Sequence, residues 1–265
     1  MGPVMDFLGV DGCRGGWLAV RLSLFGDWEV NLFRSFSHLW ERHSAAALIL
    51  VDIPIGLKQG SRGKSSGERQ ERRCDKEARK LLGPRRAAVF RVPCRPAVYA
   101  SSYDKALAKN KALTGTRLFK ATWNITSKIR EVDELLLHHP EVRKSVRESH
   151  PELCFWSLNG CRPLQYPKSR ENGARERLEL LQSIYPASET ILSQTLASYS
   201  RKEVKKDDIL DALVAALTAR LGFDNLSSLP PQPEIDSQGL PMEMVYFLLK
   251  FHESEVPKYF GDALK

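Results

Sequence analysis

The stretch FLGVDGCRGGWLAVRLSLFGDWEVNLF, residues 7–33, decides how the fold begins. Phe7 to Val10 is a short apolar run that ends at Asp11, and Gly12-Cys13-Arg14-Gly15-Gly16 makes a sharp turn. Trp17 to Leu24 resumes with bulky apolar residues around Arg21, Gly26-Asp27 supplies a second turn, and Trp28 to Phe33 is a third short run. Short strands punctuated by glycine turns predict a three-stranded antiparallel meander. Ser35 to His43 is helix-like, with Phe36, Leu39 and Trp40 on one side. Ala46 to Val51 is continuously apolar and ends at Asp52, two residues before Pro54. A strand buried on both faces has this pattern. The order is therefore β-β-β-α-β.

Lys58 to Gly67 is glycine, serine and charge, and reads as a mobile loop. Glu68 to Leu82 is a highly charged helix closed by Gly83-Pro84. An irregular packed segment surrounds Pro93 and Pro96. Helices follow over Tyr103–Leu113 and Trp123–Leu137, the second stopped by Pro140. Val142 to Ser149 reads as a short strand leading into His150-Pro151-Glu152 and the apolar Leu153–Leu158. Further helices are expected over Ala174–Leu181, Glu189–Ala197 and Glu203–Leu221. Ser227 to Gly239 reads as proline-rich surface loop, and Met242–Leu248 as a last strand. No internal repeat or clean linker interrupts the pattern. The expectation is a single domain over residues 1–265, with a basic insertion at about 58–137.

The 265 residues are 42% hydrophobic and 27% charged, the composition of a soluble globular protein. This excludes a collagen, a disulfide miniprotein and a wholly disordered chain. The net charge is +8, and Lys58 to Arg95 alone holds 13 basic residues against 4 acidic ones. The basicity is local, and a local positive field attracts polyanions, nucleic acid first. A solvated basic loop is the plainer alternative. Arg72, Arg73, Arg85 and Arg86 are candidates to hold a nucleic-acid backbone, and Arg14 to meet a phosphate oxygen or simply to occupy a surface turn. The opening MGPVMDFLGVDG lacks a basic n-region and a long apolar stretch, and no apolar run reaches membrane-spanning length. The five cysteines, Cys13, Cys74, Cys94, Cys154 and Cys161, are odd in number, widely spaced and without a CxxC. They read as reduced thiols in a cytoplasmic protein with no membrane association.

Asp11 ends the first strand, Asp52 ends the buried strand, and Asp208 and Asp211 lie on the late helix KKDDILDALVAALTA. Positions three apart on a helix lie about 60° apart, so Asp208 and Asp211 share a face, with Asp207 near it. Asp211 interrupts the apolar run Ile209–Ala219, and a buried carboxylate is costly unless paired, hydrogen-bonded or bound to a metal. Each aspartate also has a modest reading. Asp208 can cap the helix, Asp52 can be a turn residue before proline, and Asp11 can make an Asx-turn. Convergence of two strand ends and a helix would give a carboxylate cluster that needs a cation. Hard oxygen ligands select Mg²⁺ or Mn²⁺, and two such ions support phosphodiester hydrolysis. Glu148 and Glu152 compete to complete such a site. His150 is a proton shuttle or a structural bridge between strand and helix.

The blocks GVDGCRGGW (9–17), VDIPIGL (51–57), CDKEARKLLG (74–83), VFRVP (89–93), ESHPELCFWSLNG (148–160) and DDILDALVAA (207–216) carry a resemblance. As an ordered set they resemble the "domain of unknown function 429" family, predicted nucleases of the ribonuclease H-like superfamily. The resemblance implies an α/β fold with a mixed sheet, a β-β-β-α-β-α core and flanking helices. It implies that the first-strand aspartate, matched by Asp11, is the central metal ligand. Asp52 matches the fourth-strand acid, and Asp208 and Asp211 match the acidic residues of the last helix, as in the Holliday-junction resolvase branch. His150, Pro151 and Glu152 match the family's HPE block. The implied catalytic set is Asp11, Asp52, Asp208, Asp211, Glu152 and His150, with Mg²⁺ or Mn²⁺ on the four aspartates.

GVDGCRGG differs from the simple D-x-G turn of actin-like and hexokinase-like ATPases, and no Gly-x-Gly-x-x-Gly or P-loop pattern is present. The leading expectation is a metal-dependent nuclease, resolvase-like, for which a homodimer would suit the cutting of two strands. One alternative is a metal-dependent enzyme acting on a nucleotide or phosphorylated metabolite, favoured by a small closed pocket around Asp11. The other is a non-catalytic nucleic-acid-binding or structural protein of the same fold.

Overall fold

The structure, a computed structural model, describes residues 5–60 and 70–248. The meander is present as β1 (Asp6–Cys13), β2 (Gly16–Ser23) and β3 (Trp28–Phe33), followed by α1 (Phe36–His43) and β4 (Leu48–Val51). Helices α2 (Arg73–Leu82), α3 (Arg95–Val98), α4 (Tyr103–Thr114), α5 (Lys120–Trp123) and α6 (Thr126–His138) then separate β4 from β5 (Val146–Glu148). The chain continues through α7 (Pro151–Leu158), α8 (Glu171–Ile184), α9 (Ser188–Ser198) and α10 (Lys206–Gly222) to β6 (Leu226–Ile235) and β7 (Pro241–Phe247). The main sheet has the order β3-β2-β1-β4-β5. β1 is antiparallel to β2 and parallel to β4, and β4 is parallel to β5. A mixed sheet of this order with flanking helices is a ribonuclease H-like topology.

Side-chain alternation along β1 decides what each face carries. Leu8 and Val10 join one core with Phe36 and Leu39 of α1 and Ile129 and Val132 of α6. Phe7 joins another with Ala215 and Ala219 of α10, as do Leu48 and Leu50 of β4. Leu18, Val20 and Leu22 of β2 bury with Leu210 and Leu213 of the same helix. Asp11 is in phase with Phe7, and Asp52 is in phase with Leu48 and Leu50. Both aspartates therefore belong to the α10 face of the sheet. On α10, Ala212, Ala215 and Ala219 recur at helical spacing, and that stripe of small residues continues N-terminally into Asp208. Gly9 completes the fit, because a Cβ there would collide with the Ala212 carbonyl oxygen.

Several expected elements differ in the structure. Helix α2 begins at Arg73, after an extended lead-in at Arg72. The expected mobile loop at Lys58–Gly67 and the expected helix start at Glu68 lie largely outside the described residues, as do Arg62, Lys64 and Arg69. Only Val146–Glu148 of the expected 142–149 strand is extended, because Pro140–Lys144 forms a 3₁₀ turn. Residues 227–235, read as loop, are strand: β6 pairs antiparallel with β7 in a separate two-stranded ribbon, with a register shift between Leu229 and Glu234. Pro230, Pro231 and Pro233 fall inside that register shift, where residues 230–233 have no ladder partner, and a bulge is where a strand accommodates proline. Among the described residues no helix is long and apolar enough to cross a membrane.

Candidate active site

β1 and β4 run parallel, so their carboxyl ends open on the same edge of the sheet. Asp11 lies there near the end of β1, and Asp52 directly follows β4, its backbone N–H donating to the Val10 carbonyl at 2.9 Å. Helix α10 crosses this edge with its first turns, where Asp208 and Asp211 sit. The four aspartates line one cavity of about 550 Å³. His150, Glu152, Arg85, Lys128, Lys168 and Arg177 share it, and Ile53, Pro54, Phe90 and Ile125 give it an apolar side.

The cluster is electrostatically unfavourable to itself. Burial pushes the Asp11 carboxyl well above the ordinary carboxylate range, and the charges of Asp52, Asp211 and Asp208 push it the same way. Burial raises Asp211 to about 6, although Lys168 pulls it down, with Nζ donating to Oδ2 at 2.7 Å. Asp208 is raised by burial, while Oδ2 accepts from the Lys205 N–H at 2.8 Å. Asp208 is thus not the N-cap of α10, which is Lys205, but the third-position partner of its capping box, and the same side chain still lines the cavity.

The HPE block divides its work. His150 is the N-cap of α7, and its Nδ1 accepts from the Glu152 N–H at 3.2 Å. Glu152 Oε2 accepts from Arg177 Nη2 at 2.7 Å, and Arg85 Nε lies 3.5 Å from Oε1. Glu148, the competitor of Glu152, is spent elsewhere. It is buried against Arg72, with two hydrogen bonds of 2.7 Å, and accepts from the Ile55 N–H at 2.6 Å. Burial raises its carboxyl to about 7 despite the pull of Arg72.

Arg72, expected to hold a nucleic-acid backbone, is instead 1% exposed and enclosed by Glu148 and Asp75. Its basic character in the sequence reflected an internal ion triad, and it presents no N–H to the surface. Arg73 is exposed and paired with Glu77 on the same helix. Arg86 is exposed, Arg85 lines the cavity, and Arg14 sits exposed in the β1–β2 turn away from it.

Lys168, Arg177 and Lys128 were not expected from the sequence. Lys128 Nζ donates to the Gly16 carbonyl at 2.5 Å and lies 4.4 Å from the centre of the Trp17 ring. Arg177 is buried under Glu152 in the middle of α8. A charged residue buried on a mostly polar helix gives no periodicity signal, and a lysine in a loop gives none at all.

No three His, Cys, Asp or Glu side chains among the described residues are grouped so as to hold a metal ion. The chemistry of the donors nevertheless fits a hard divalent cation. They are all carboxylate oxygens, and burial together with the charges of neighbouring aspartates raises Asp11 and Asp211, a cost that a cation would offset. The one ion pair made to the four aspartates among the described residues is that of Lys168 with Asp211.

A family model described as a protein of unknown function (DUF429) matches residues 9–235. Neither the curated proteins nor the solved structures contain a match to the chain. The matched stretch covers most of the chain and takes in Asp11, Asp52, the HPE block and Asp208 and Asp211 of α10, so the chain belongs to the DUF429 family.

Proposed function

We propose that this protein is a metal-dependent phosphodiesterase acting on nucleic acid. The observation that carries the reading is the placing of Asp11, Asp52, Asp208 and Asp211 on one cavity by two parallel strand ends and the last helix. Asp11, Asp52 and Asp211 would hold Mg²⁺ or Mn²⁺, with Asp208 at the edge of the set. Such an ion supplies polarisation of a phosphoryl oxygen and a water acidic enough to attack at neutral pH. The chain's own groups do the rest. Arg85, on the cavity wall, holds a backbone phosphate by charge. Ile53, Pro54, Phe90 and Ile125 offer an apolar seat for a base or sugar. His150 lines the same cavity with its Nδ1 held by the Glu152 N–H, and in this reading it would pass a proton.

The cavity size supports a second reading, an enzyme acting on a nucleotide or phosphorylated metabolite. About 550 Å³ is within the usual range for a small-molecule site. The test is a hydrolysis screen in Mn²⁺ with branched and single-stranded DNA and RNA beside mononucleotides, comparing the native chain with Asp11→Asn. Cleavage of a polymer lost in the variant supports the nuclease. Turnover of mononucleotides alone moves the assignment to the second reading. Activity retained in Asp11→Asn removes the site.

A further inference from the structure

Lys168 belongs to the loop between α7 and α8, and that loop is built to present it. The N–H groups of Gln165 and Tyr166 donate to the Glu176 carboxylate at 2.7 and 2.9 Å. Arg177 Nη1 donates to the carbonyls of Tyr166 and Gly173 at 3.2 and 3.0 Å, and Arg85 Nε donates to that of Leu164 at 3.0 Å. Gly173 packs so tightly on Pro167 that a Cβ would collide with the Pro167 carbonyl oxygen. The backbone is fastened on both sides of residue 168, and Leu164 is buried in the core beneath. From this mount the half-exposed lysine reaches Asp211, which is 3% exposed, at 2.7 Å. The charges of Asp52 and Asp11 also act on its ammonium. The other cation of the cavity near Asp11, Lys128, is engaged by the Gly16 carbonyl.

We propose that Lys168 is the resident counter-ion of the aspartate cluster and that a divalent cation entering the cluster displaces its ammonium from Asp211. This rests on the proposed reading of the cluster as a metal centre. Two cations compete for the same carboxylate oxygens, and each repels the other at close range. Lys168 is therefore a positioning residue. It keeps the metal-free cluster together and sets the threshold of metal concentration at which the site loads. Its flexible four-carbon stem lets the head swing away while the fastened loop stays in place.

The test is Mn²⁺ titration calorimetry on the full chain, stripped of metal, together with thermal unfolding in chelator. The proteins are the native chain, Lys168→Met, Lys168→Arg, Asp211→Asn and the Met/Asn double variant. Lys168→Met should bind Mn²⁺ roughly ten-fold tighter or more, the scale of a coupling between competing ligands. It should unfold at a lower temperature without metal, whereas Lys168→Arg should restore both properties toward native. The stability loss should disappear in the Asp211→Asn background. Equal or weaker Mn²⁺ binding by Lys168→Met overturns the displacement while leaving the metal reading intact. Absence of binding in every variant overturns the metal reading and the displacement together. Additive stability effects of the two substitutions overturn the counter-ion role.

Discussion

Gly9 of β1 lies directly beneath Ala212 of α10, close enough that any side chain at position 9 would strike the Ala212 carbonyl oxygen. This approach sets the height of the helix over the central strand. Two residues beyond Gly9 the strand presents Asp11, and one residue before Ala212 the helix presents Asp211. The site is thus assembled by backbone meeting backbone with no side chain between. Gly9→Ala should lift α10 and cost at least about 1–3 kcal/mol, the usual penalty of overpacking a filled core. Thermal unfolding measures the loss. An unchanged Tm would mean that the helix is not seated on β1 in this way.

The raised carboxyls make a pH prediction for the metal-free protein. Asp211 has a folded-state pKa of about 6 against an ordinary 3.8, so the folded state holds its proton over a range in which the unfolded state has lost it. Its stabilising contribution is present below the ordinary value and disappears as pH rises through about 6. Asp211→Asn mimics the protonated form at every pH. The variant should match the native chain near pH 4 and exceed it at pH 7 by up to about 3 kcal/mol, two units of pKa at 1.36 kcal/mol each. Denaturant unfolding in chelator at several pH values gives the comparison, and a constant difference across the range would remove the explanation.

Arg72 should behave as a core residue. Arg72→Met leaves Asp75 and Glu148 buried without their common partner, and breaking a buried pair costs about 3–5 kcal/mol. Unfolding of the variant should show that loss. A variant of native stability would show that the triad relaxes by protonating Glu148.

Arg85 on the cavity wall and the exposed Arg86 beside it in the chain are the two arginines of the basic stretch to test for ligand binding. If the cavity holds a nucleic-acid backbone, changing both to Ala should flatten the plot of log affinity against log salt by about 0.7–0.9 for each phosphate that the variant no longer neutralises. Fluorescence anisotropy with a labelled oligonucleotide over a salt series reads the slope. An unchanged slope places the binding face elsewhere.

Local patterning carried much of the architecture. The glycine turns around 12–16 and 26–27 and the apolar run ending at Asp52 were enough for the β-β-β-α-β order, because strand alternation and turn chemistry are short-range properties of the chain. Asp211 was conspicuous because it interrupts an apolar helix, and Asp11 and Asp52 because each ends an apolar run. The strand pairing of 226–235 was hidden by its prolines, which mark loops locally but here sit in the register shift between Leu229 and Glu234, with paired residues on either side.

Charge was where the sequence alone was least informative. Arg72 and Arg73 are neighbours in the chain with the same composition around them, yet one is sealed in a triad and the other is exposed. Lys168 has no periodic context, and its partner lies 43 residues away. Whether a charged side chain is a ligand, a counter-ion or a core strut depends on which opposite charges the folded chain brings within a few ångströms, and burial multiplies the strength of that pairing. The residues themselves determined that four aspartates could form a centre. Only the packing of α10 on β1, and of the loop that carries Lys168 against it, decided which charges meet there.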